Sequence, residues 1–379
     1  MIKRPAAKIE TIMSTPVSKE KYPSFKALLF LLSKVYGKIV KTRLRNHRTG
    51  RLKSKRLPCF VISVGNITVG GTGKTPMTVY VAELVRQMGY KVAVLSRGYK
   101  GTFEASGGVV CNGHSVCCTP KESGDEPYMM AQTLGVPLLA GKKRYALGIK
   151  AIEQFNAQVI ILDDAFQHIQ LKRDLDIVLL DAQNPFGNGA LLPRGPLREP
   201  VSSLERCDTV IFTRSDVKGC EPSRYHKWLG EKPVLKTRHC PGIFKILSAS
   251  GHELDKKTTD NFLMENRKKR ALLFSGIANN SDFKKTCETM GMTIAGHLEF
   301  PDHYWYKAED MALVLNQYKK LKADFIVTTQ KDYVKIDNEF VIPKDLVVVG
   351  VSIKFMKNHD KNFKSLIKER IKSKDIGVP

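Results

Sequence analysis

The residues best equipped for chemistry form one run, Val64-Gly65-Asn66-Ile67-Thr68-Val69-Gly70-Gly71-Thr72-Gly73-Lys74-Thr75-Pro76. A short apolar stretch, Phe60-Val61-Ile62-Ser63-Val64, leads into it, and a helix-like segment to Met88-Gly89 follows. Strand, glycine-rich loop and helix in that order present several backbone N–H groups to an anion, with the helix dipole adding positive potential. In such a loop Lys74 reaches the β- and γ-phosphates of a nucleotide, and the Thr75 hydroxyl serves Mg²⁺. Pro76 suits a first helical turn, where its missing N–H costs nothing. Thr68 stands where the general eight-residue pattern has its first glycine. A glycine-rich turn before a chance Lys-Thr pair is the plainer alternative, and the strand-to-helix context argues against it. The expectation is a site for a nucleoside triphosphate.

Other polar groups gather where such a fold would put them. Val159-Ile160-Ile161-Leu162 reads as a buried strand with Asp163-Asp164 at its C-terminal end, and Val92-Ala93-Val94-Leu95 ends in Ser96-Arg97-Gly98-Tyr99. Leu175 to Leu180 and Thr209 to Thr213 continue the series. Apolar runs this continuous suit parallel strands covered on both faces, and open α/β sheets bind ligands beyond the carboxyl ends of their strands. Acids placed there support Mg²⁺ or its waters, although one of the two could instead cap a helix. Asp125, in Gly124-Asp125-Glu126-Pro127, also reads as a helix cap. Gln167-His168 follows the acidic pair closely. Leu192 to Pro200 is a rigid, charge-bearing loop whose Arg194 and Arg198 could grip phosphate through their planar donor forks, or simply face solvent. Phe300-Pro301-Asp302-His303-Tyr304-Trp305-Tyr306 sets a histidine among four aromatics, most simply a packed or surface residue.

The elements that must position these groups come from an ordinary soluble composition. A chain of 379 residues can bury a full core and divide into two domains. Lys and Arg outnumber Asp and Glu by 62 to 37, so partners should be acidic: phosphates, an anionic membrane face or nucleic acid. No C-x-x-C pair occurs among the eight cysteines, so neither a zinc site nor a disulfide scaffold is indicated.

Residues 1–21 read as a polar leader without a secretory core. Next, Phe25, Leu28, Leu29, Leu32, Tyr36 and Ile39 recur at helical spacing, and a basic flank runs from Arg43 to Arg56. The apolar stretch Ala27–Leu32 is far shorter than the ~20 residues needed to cross a bilayer. A helix of this kind fits the headgroup layer of an anionic membrane or docks on the protein's own core. Aromatic residues do not interleave with the basic ones as a nucleic-acid platform requires.

As an ordered set, these motifs resemble the tetraacyldisaccharide 4'-kinase family of lipid A biosynthesis. The resemblance rests on Val64 to Pro76, Ser96 to Tyr99, Gly124 to Pro127, Asp163-Asp164-Ala165-Phe166-Gln167-His168, Leu192 to Pro200, Ser275-Gly276-Ile277-Ala278-Asn279 and Phe300 to His303, and spans roughly residues 22 to 350. Thr68 looks like the family's own form of the loop. Ala165 stands where family members carry glycine, which suits a turn only if that residue keeps a negative φ.

The resemblance implies an α/β fold: a P-loop NTPase-like α/β/α sandwich with a second, smaller α/β/α domain. Residues 22–57 would form the membrane-facing segment, 58–235 the nucleotide-binding domain, 236–268 the hinge and 269–379 the C-terminal domain. It implies transfer of the ATP γ-phosphoryl group to the 4'-hydroxyl of an acylated glucosamine disaccharide 1-phosphate, at the cytoplasmic face of a Gram-negative inner membrane, with no nucleic acid involved. Asp125 and His303 would be catalytic. Thr68, Val69, Gly70, Gly71, Thr72, Gly73, Lys74, Thr75, Gln167 and His168 would hold ATP. Thr75, Glu126, Asp163 and Asp164 would surround Mg²⁺. Asn66, Arg97, Arg194, Arg198 and Glu199 would meet the lipid substrate.

Two rivals remain. Thr213-Arg214-Ser215-Asp216 faintly resembles the guanine-recognition motif of a GTPase switch, though the sequence after Asp164 lacks the switch glycine, and Val69 stands where partitioning ATPases have a second lysine. A basic nucleic-acid-binding protein would explain the net charge alone.

Overall fold

The computed structural model describes residues 12, 13, 15–17, 24–216, 225–248, 252–266, 268–336 and 345–374; the leader expected over residues 1–21 falls largely outside them. Among these residues twelve strands form one sheet in the order β10-β9-β11-β12-β8-β7-β6-β1-β5-β2-β4-β3. In the first half, β1 (Phe60–Asn66), β2 (Val92–Ser96), β5 (Val159–Asp163) and β7 (Thr209–Thr213) are buried along their whole length. Their unbroken apolar runs have this cause: helices cover both faces. On one face Val81 and Val85 of helix Lys74–Gln87 join Phe60, Ile62 and Val64, and on the other Leu147 and Ala151 of helix Arg144–Phe155 join Val61, Ala93 and Ile160. β3 (Gly108–Asn112) pairs antiparallel with β4 (Pro137–Ala140) at the edge.

The site depends on β8 (Val234–Leu247). Val234, Leu235 and Lys236 pair parallel with β7, which also runs beside β6 (Leu175–Asp181). The rest, from Thr237 to Leu247, pairs antiparallel with β12 (Leu346–Phe355). The second half therefore sits beyond the carboxyl ends of the first. It continues through β11 (Phe325–Thr329), β9 (Arg270–Ser275) and β10 (Thr293–Glu299), all parallel to β12. Reversal at β12 turns their carboxyl ends back toward the first half. Loops that follow strands in both halves consequently face each other across one cleft.

One departure from the sequence reading and one choice between its alternatives concern the chain's ends. The last helix, His359–Lys372, falls in the expected C-terminal domain, yet Phe363, Ile367 and Ile371 pack into the core of the first half. Helix Phe25–Arg48, capped by Ser24, docks on the protein's own core along one face, one of the two alternatives that the sequence left open. One face is buried at Ala27, Ser33, Gly37 and Val40; Ser33 Oγ donates to the Leu191 carbonyl at 2.8 Å, and Tyr36 Oη to that of Arg198 at 2.8 Å. Another face leaves Phe25, Leu28, Leu32, Val35 and Ile39 exposed at 45–63%. No described helix is long and apolar enough to cross a membrane.

Candidate active site

The glycine-rich loop joins β1 to helix Lys74–Gln87, which begins at Lys74. Gly73 adopts φ 82°, and a Cβ there would lie 2.6 Å from His239 Nε2, so only glycine fits. The first N–H groups of the helix have no intrahelical acceptor and open toward the cleft. Neighbours brace the loop. Asn66 Nδ2 donates to Thr72 Oγ1 at 2.9 Å, Gln167 Nε2 to the Asn66 carbonyl at 2.9 Å, and Arg214 Nη2 to the Gly71 carbonyl at 2.8 Å. The 192–200 loop straps it from outside, with Val69 N–H donating to the Pro196 carbonyl and Arg198 N–H to that of Ile67.

Beside the loop lie the two acids that end β5. Asp163, 2% exposed, accepts from Thr78 Oγ1 at 3.0 Å and Ser96 Oγ at 3.1 Å. Burial, then the charges of Glu126 and Asp164, push its carboxyl up to about 6. Asp164 has a left-handed backbone, φ 46°, and turns toward Arg198 Nη1 at 2.9 Å and Lys74 Nζ at 3.8 Å. Burial raises Asp164, but those two cations outweigh it and hold the carboxyl below its ordinary range. The positive φ falls on Asp164; Ala165 is absent from the left-handed residues, so its methyl group is accommodated. Arg144, wholly buried, donates to the Asp163 carbonyl.

The second half supplies the opposite wall. Facing it from the first half, Asp125 opens helix Asp125–Ala131, but the N-cap is Gly124, where φ is 87° and a Cβ would lie 2.6 Å from the Tyr99 carbonyl. The carboxylate is left to meet His303, whose Nδ1 lies 2.8 Å from Asp125 Oδ2. His303 follows β10 with φ 61°, a backbone strain of about 1–3 kcal/mol that structures retain chiefly at functional sites. Burial raises the Asp125 carboxyl, yet the bond from His303 and the charge of Lys331 prevail and keep it low. Lys331 Nζ lies 3.3 Å from His303 Nε2 and 3.3 Å from Asp302 Oδ1, with Glu126 at 3.8 Å.

Not every residue named from sequence reaches the cleft. Arg194 is fully buried, and its guanidinium donates to the carbonyls of Ile12, Thr15 and Pro16, so it ties down the chain's beginning and meets no solvent. Glu199 is likewise buried, accepting from Arg206 Nη1 at 2.7 Å with Arg43 at 3.7 Å, which joins the strap to the N-terminal helix. Asn66 is buried as a brace for the phosphate loop. These three corrections share a cause: long-range burial converts polar side chains into internal partners. Arg97 stays exposed and pairs with Glu104 at 2.9 Å. His168 is pushed down to about 4 by burial and by Arg144, Arg173, Arg43 and Arg97, so it is neutral.

Sequence reasoning passed over Lys331, Arg144 and Thr78, and it noticed Arg214 only within a faint guanine-recognition motif, whereas the side chain braces the phosphate loop. Lys331 had a usable signal, because Phe325 to Val327 is an apolar run ending in the polar cluster Thr328-Thr329-Gln330-Lys331-Asp332, the same pattern that exposed Asp163.

A phosphate loop on a parallel sheet, with strand-end acids beside it and an Asp–His pair across the cleft, defines a P-loop phosphotransferase. The LpxK family model, described as tetraacyldisaccharide-1-P 4'-kinase, matches residues 25–372. The chain is 36% identical over 369 residues to the tetraacyldisaccharide 4'-kinase of Desulfatibacillum aliphaticivorans, covering 96% of this chain and 97% of that one. It is 40% identical over 311 residues to that of Geobacter metallireducens, covering 82% and 88%. Among solved structures it is similar to LpxK from Aquifex aeolicus in complex with ATP, at TM-score 0.73 and 30% identity, covering 92% of this chain and all of that one. The chain belongs to the tetraacyldisaccharide-1-P 4'-kinase family.

Proposed function

We propose that this protein transfers the γ-phosphoryl group of ATP to the 4'-hydroxyl of a tetraacylated glucosamine disaccharide 1-phosphate. The observation that carries the reading is the Asp125–His303 contact of 2.8 Å, which joins the two halves opposite Lys74 and the phosphate loop. Phosphoryl transfer requires alignment, charge neutralisation and a destination for the hydroxyl proton. Lys74 and the loop N–H groups hold the β- and γ-phosphates. The sugar oxygen attacks the γ-phosphorus, the bond to the bridging oxygen breaks, ADP leaves with that electron pair, and the proton passes to the Asp125 carboxylate. His303 orients that carboxylate. Closure of the second half, hinged at β8 and β12, excludes water that would otherwise be phosphorylated.

The acids suit Mg²⁺. Asp163 is raised partly by Glu126 and Asp164, a crowding of negative charge that a divalent cation relieves. No group of three ligating side chains is close enough to form a protein cage among the described residues. That agrees with an ion held by one or two carboxylates, the Thr75 hydroxyl, phosphates and waters. When bound, it neutralises charge on the transferring group.

The exposed stripe of Phe25, Leu28, Leu32, Val35 and Ile39, backed by basic residues, supports attachment to an anionic membrane where an acylated substrate resides. In this reading the surface is the cytoplasmic face of the inner membrane. Incubation with ATP, Mg²⁺ and the disaccharide 1-phosphate lipid should yield ADP and a lipid with a second phosphomonoester in equal amounts. ADP release without lipid phosphorylation would remove the proposal.

A further inference from the structure

Lys331 belongs to no motif that led to the site, yet it stands at its centre. It lies on the short helix Gln330–Tyr333 that directly follows β11. Its ammonium is 3.3 Å from Asp302 Oδ1 in its own half, and 3.8 Å from Glu126 Oε1 and 4.0 Å from Asp125 Oδ2 across the cleft. The next-door Gln330 also crosses, donating from Nε2 to Thr133 Oγ1 at 3.3 Å. His303 sits inside this frame. Its backbone N–H donates to the Gly276 carbonyl at 3.2 Å, its ring meets the Tyr99 ring edge-on at 5.9 Å, Nδ1 faces Asp125 and Nε2 faces Lys331 at 3.3 Å.

The chemistry of those partners leaves the imidazole one choice. A lysine ammonium has three donors and no acceptor, and an ionised carboxylate only accepts. Nε2, facing the ammonium, must therefore carry the lone pair, and Nδ1, facing Asp125, must carry the hydrogen. The other tautomer would set donor against donor at Nε2 and lone pair against carboxylate at Nδ1. Asp302 Oδ2 is 3.8 Å from Nε2, too far to accept a hydrogen from it, and the carboxylate is held instead by Lys331 through Oδ1.

We propose that Lys331 is the positioning residue of the Asp125–His303 pair: by donating to His303 Nε2 it fixes the ring as the Nδ1–H tautomer that orients Asp125. The inference rests on the proposed phosphoryl transfer, in which Asp125 takes the proton. Among the described residues the polar partners of Lys331 are Asp125, Glu126, Asp302 and His303, none of them in the phosphate loop, so its effect falls on turnover and spares nucleotide binding. Without the ammonium, Asp125 alone would hold the hydrogen at Nδ1 while Nε2 faced only water, so the Nε2–H form would gain population and Asp125 would lose its fixed direction in that fraction.

The test uses the full chain with imidazole-¹⁵N histidine, the assignment of His303 being made by its loss in His303→Gln. The ¹⁵N shifts should show a protonated Nδ1 and a bare Nε2 in the wild type. In Lys331→Met, the share of the Nε2–H tautomer should rise, and kcat with ATP, Mg²⁺ and the disaccharide lipid should fall by about 10- to 100-fold, at or below the lower limit of what positioned proton transfer contributes because Asp125 itself remains. KM for ATP should stay within about threefold, as expected when only an interaction made in the transition state is lost. Lys331→Arg, which keeps a donor, should recover much of the loss. A bare Nδ1 in the wild type would overturn the proposal without any variant having to fold. Wild-type kcat in a folded Lys331→Met protein would overturn it too, while lipid phosphorylation by the wild type would leave the proposed function standing.

Discussion

Replacing Lys335 by methionine tests how the second half holds its side of the cleft. Lys335 and Asp332 are both fully buried, with Nζ and Oδ1 2.9 Å apart. Asp332 also accepts from Thr329 Oγ1 at 2.6 Å, and Lys335 reaches the Gly276 carbonyl at 3.5 Å. That carbonyl is the one that receives the His303 N–H. Methionine keeps the length of the side chain but leaves the Asp332 charge without its counterion. Breaking a buried pair in this way costs about 3–5 kcal/mol, whereas replacing both members with apolar groups is often neutral or stabilising. Against a total stability of about 5–15 kcal/mol, the single change should lower the unfolding midpoint sharply. Lys335→Met/Asp332→Leu should recover most of that loss, less about 1 kcal/mol for the bond that the Asp332 carboxylate accepts from the N-cap Thr329. Urea unfolding followed by Trp305 fluorescence in a Trp228→Phe background reports on this half. A wild-type midpoint for Lys335→Met, or a double variant no more stable than the single one, would refute the reasoning.

Further outcomes follow from the geometry. Asp125→Ala and His303→Ala should each lower the single-turnover rate with ATP binding retained, and the double variant should lose far less than the product of the two, because the residues act as one unit; multiplicative losses would dissolve the pair. Leu28→Ser/Leu32→Ser/Ile39→Ser should weaken binding to anionic vesicles strongly, since burying each such side chain is worth about 1.5–3 kcal/mol, and the docked face with Ser33 and Tyr36 should keep the protein folded; unchanged vesicle binding would place the membrane contact elsewhere. His168 stays neutral until about pH 4, against an ordinary value of 6.5. The unfolded chain therefore takes up that proton first, and the histidine's contribution of about 3 kcal/mol is present above pH 6.5 and lost as pH falls toward 4. His168→Gln should flatten thermal stability across that window, and an unchanged slope would contradict the assigned burial.

The phosphate loop and the strand-end acids were legible in the sequence because they are local patterns: an apolar run, then a polar group at its end. Asp163 and Asp164 needed no partner from afar to be noticed. The roles of Arg194, Glu199 and Asn66 were not legible, since each depends on what covers it. Arg194 is polar and loop-borne by sequence, but the segment around Ile12 to Pro16 folds over it. The same limit hid the docking of helix Phe25–Arg48, whose buried face relies on small residues such as Gly37, where a Cβ would lie 2.8 Å from Leu191. Lys331 was missed because its partners Asp125 and Glu126 lie in the other half, joined only when β8 and β12 pair antiparallel.

The most direct measurement is phosphorus NMR of the lipid recovered after reaction with ATP and Mg²⁺, using the wild type and Lys74→Ala side by side. The wild type should add one phosphomonoester, coupled to the proton at the 4' carbon, to the existing 1-phosphate. Lys74→Ala should form it about 10²–10³-fold more slowly with the fold intact, the usual cost of losing one stabilising group at the developing charge. A lipid that keeps a single phosphate after wild-type reaction, or a folded Lys74→Ala protein as active as the wild type, would contradict the account.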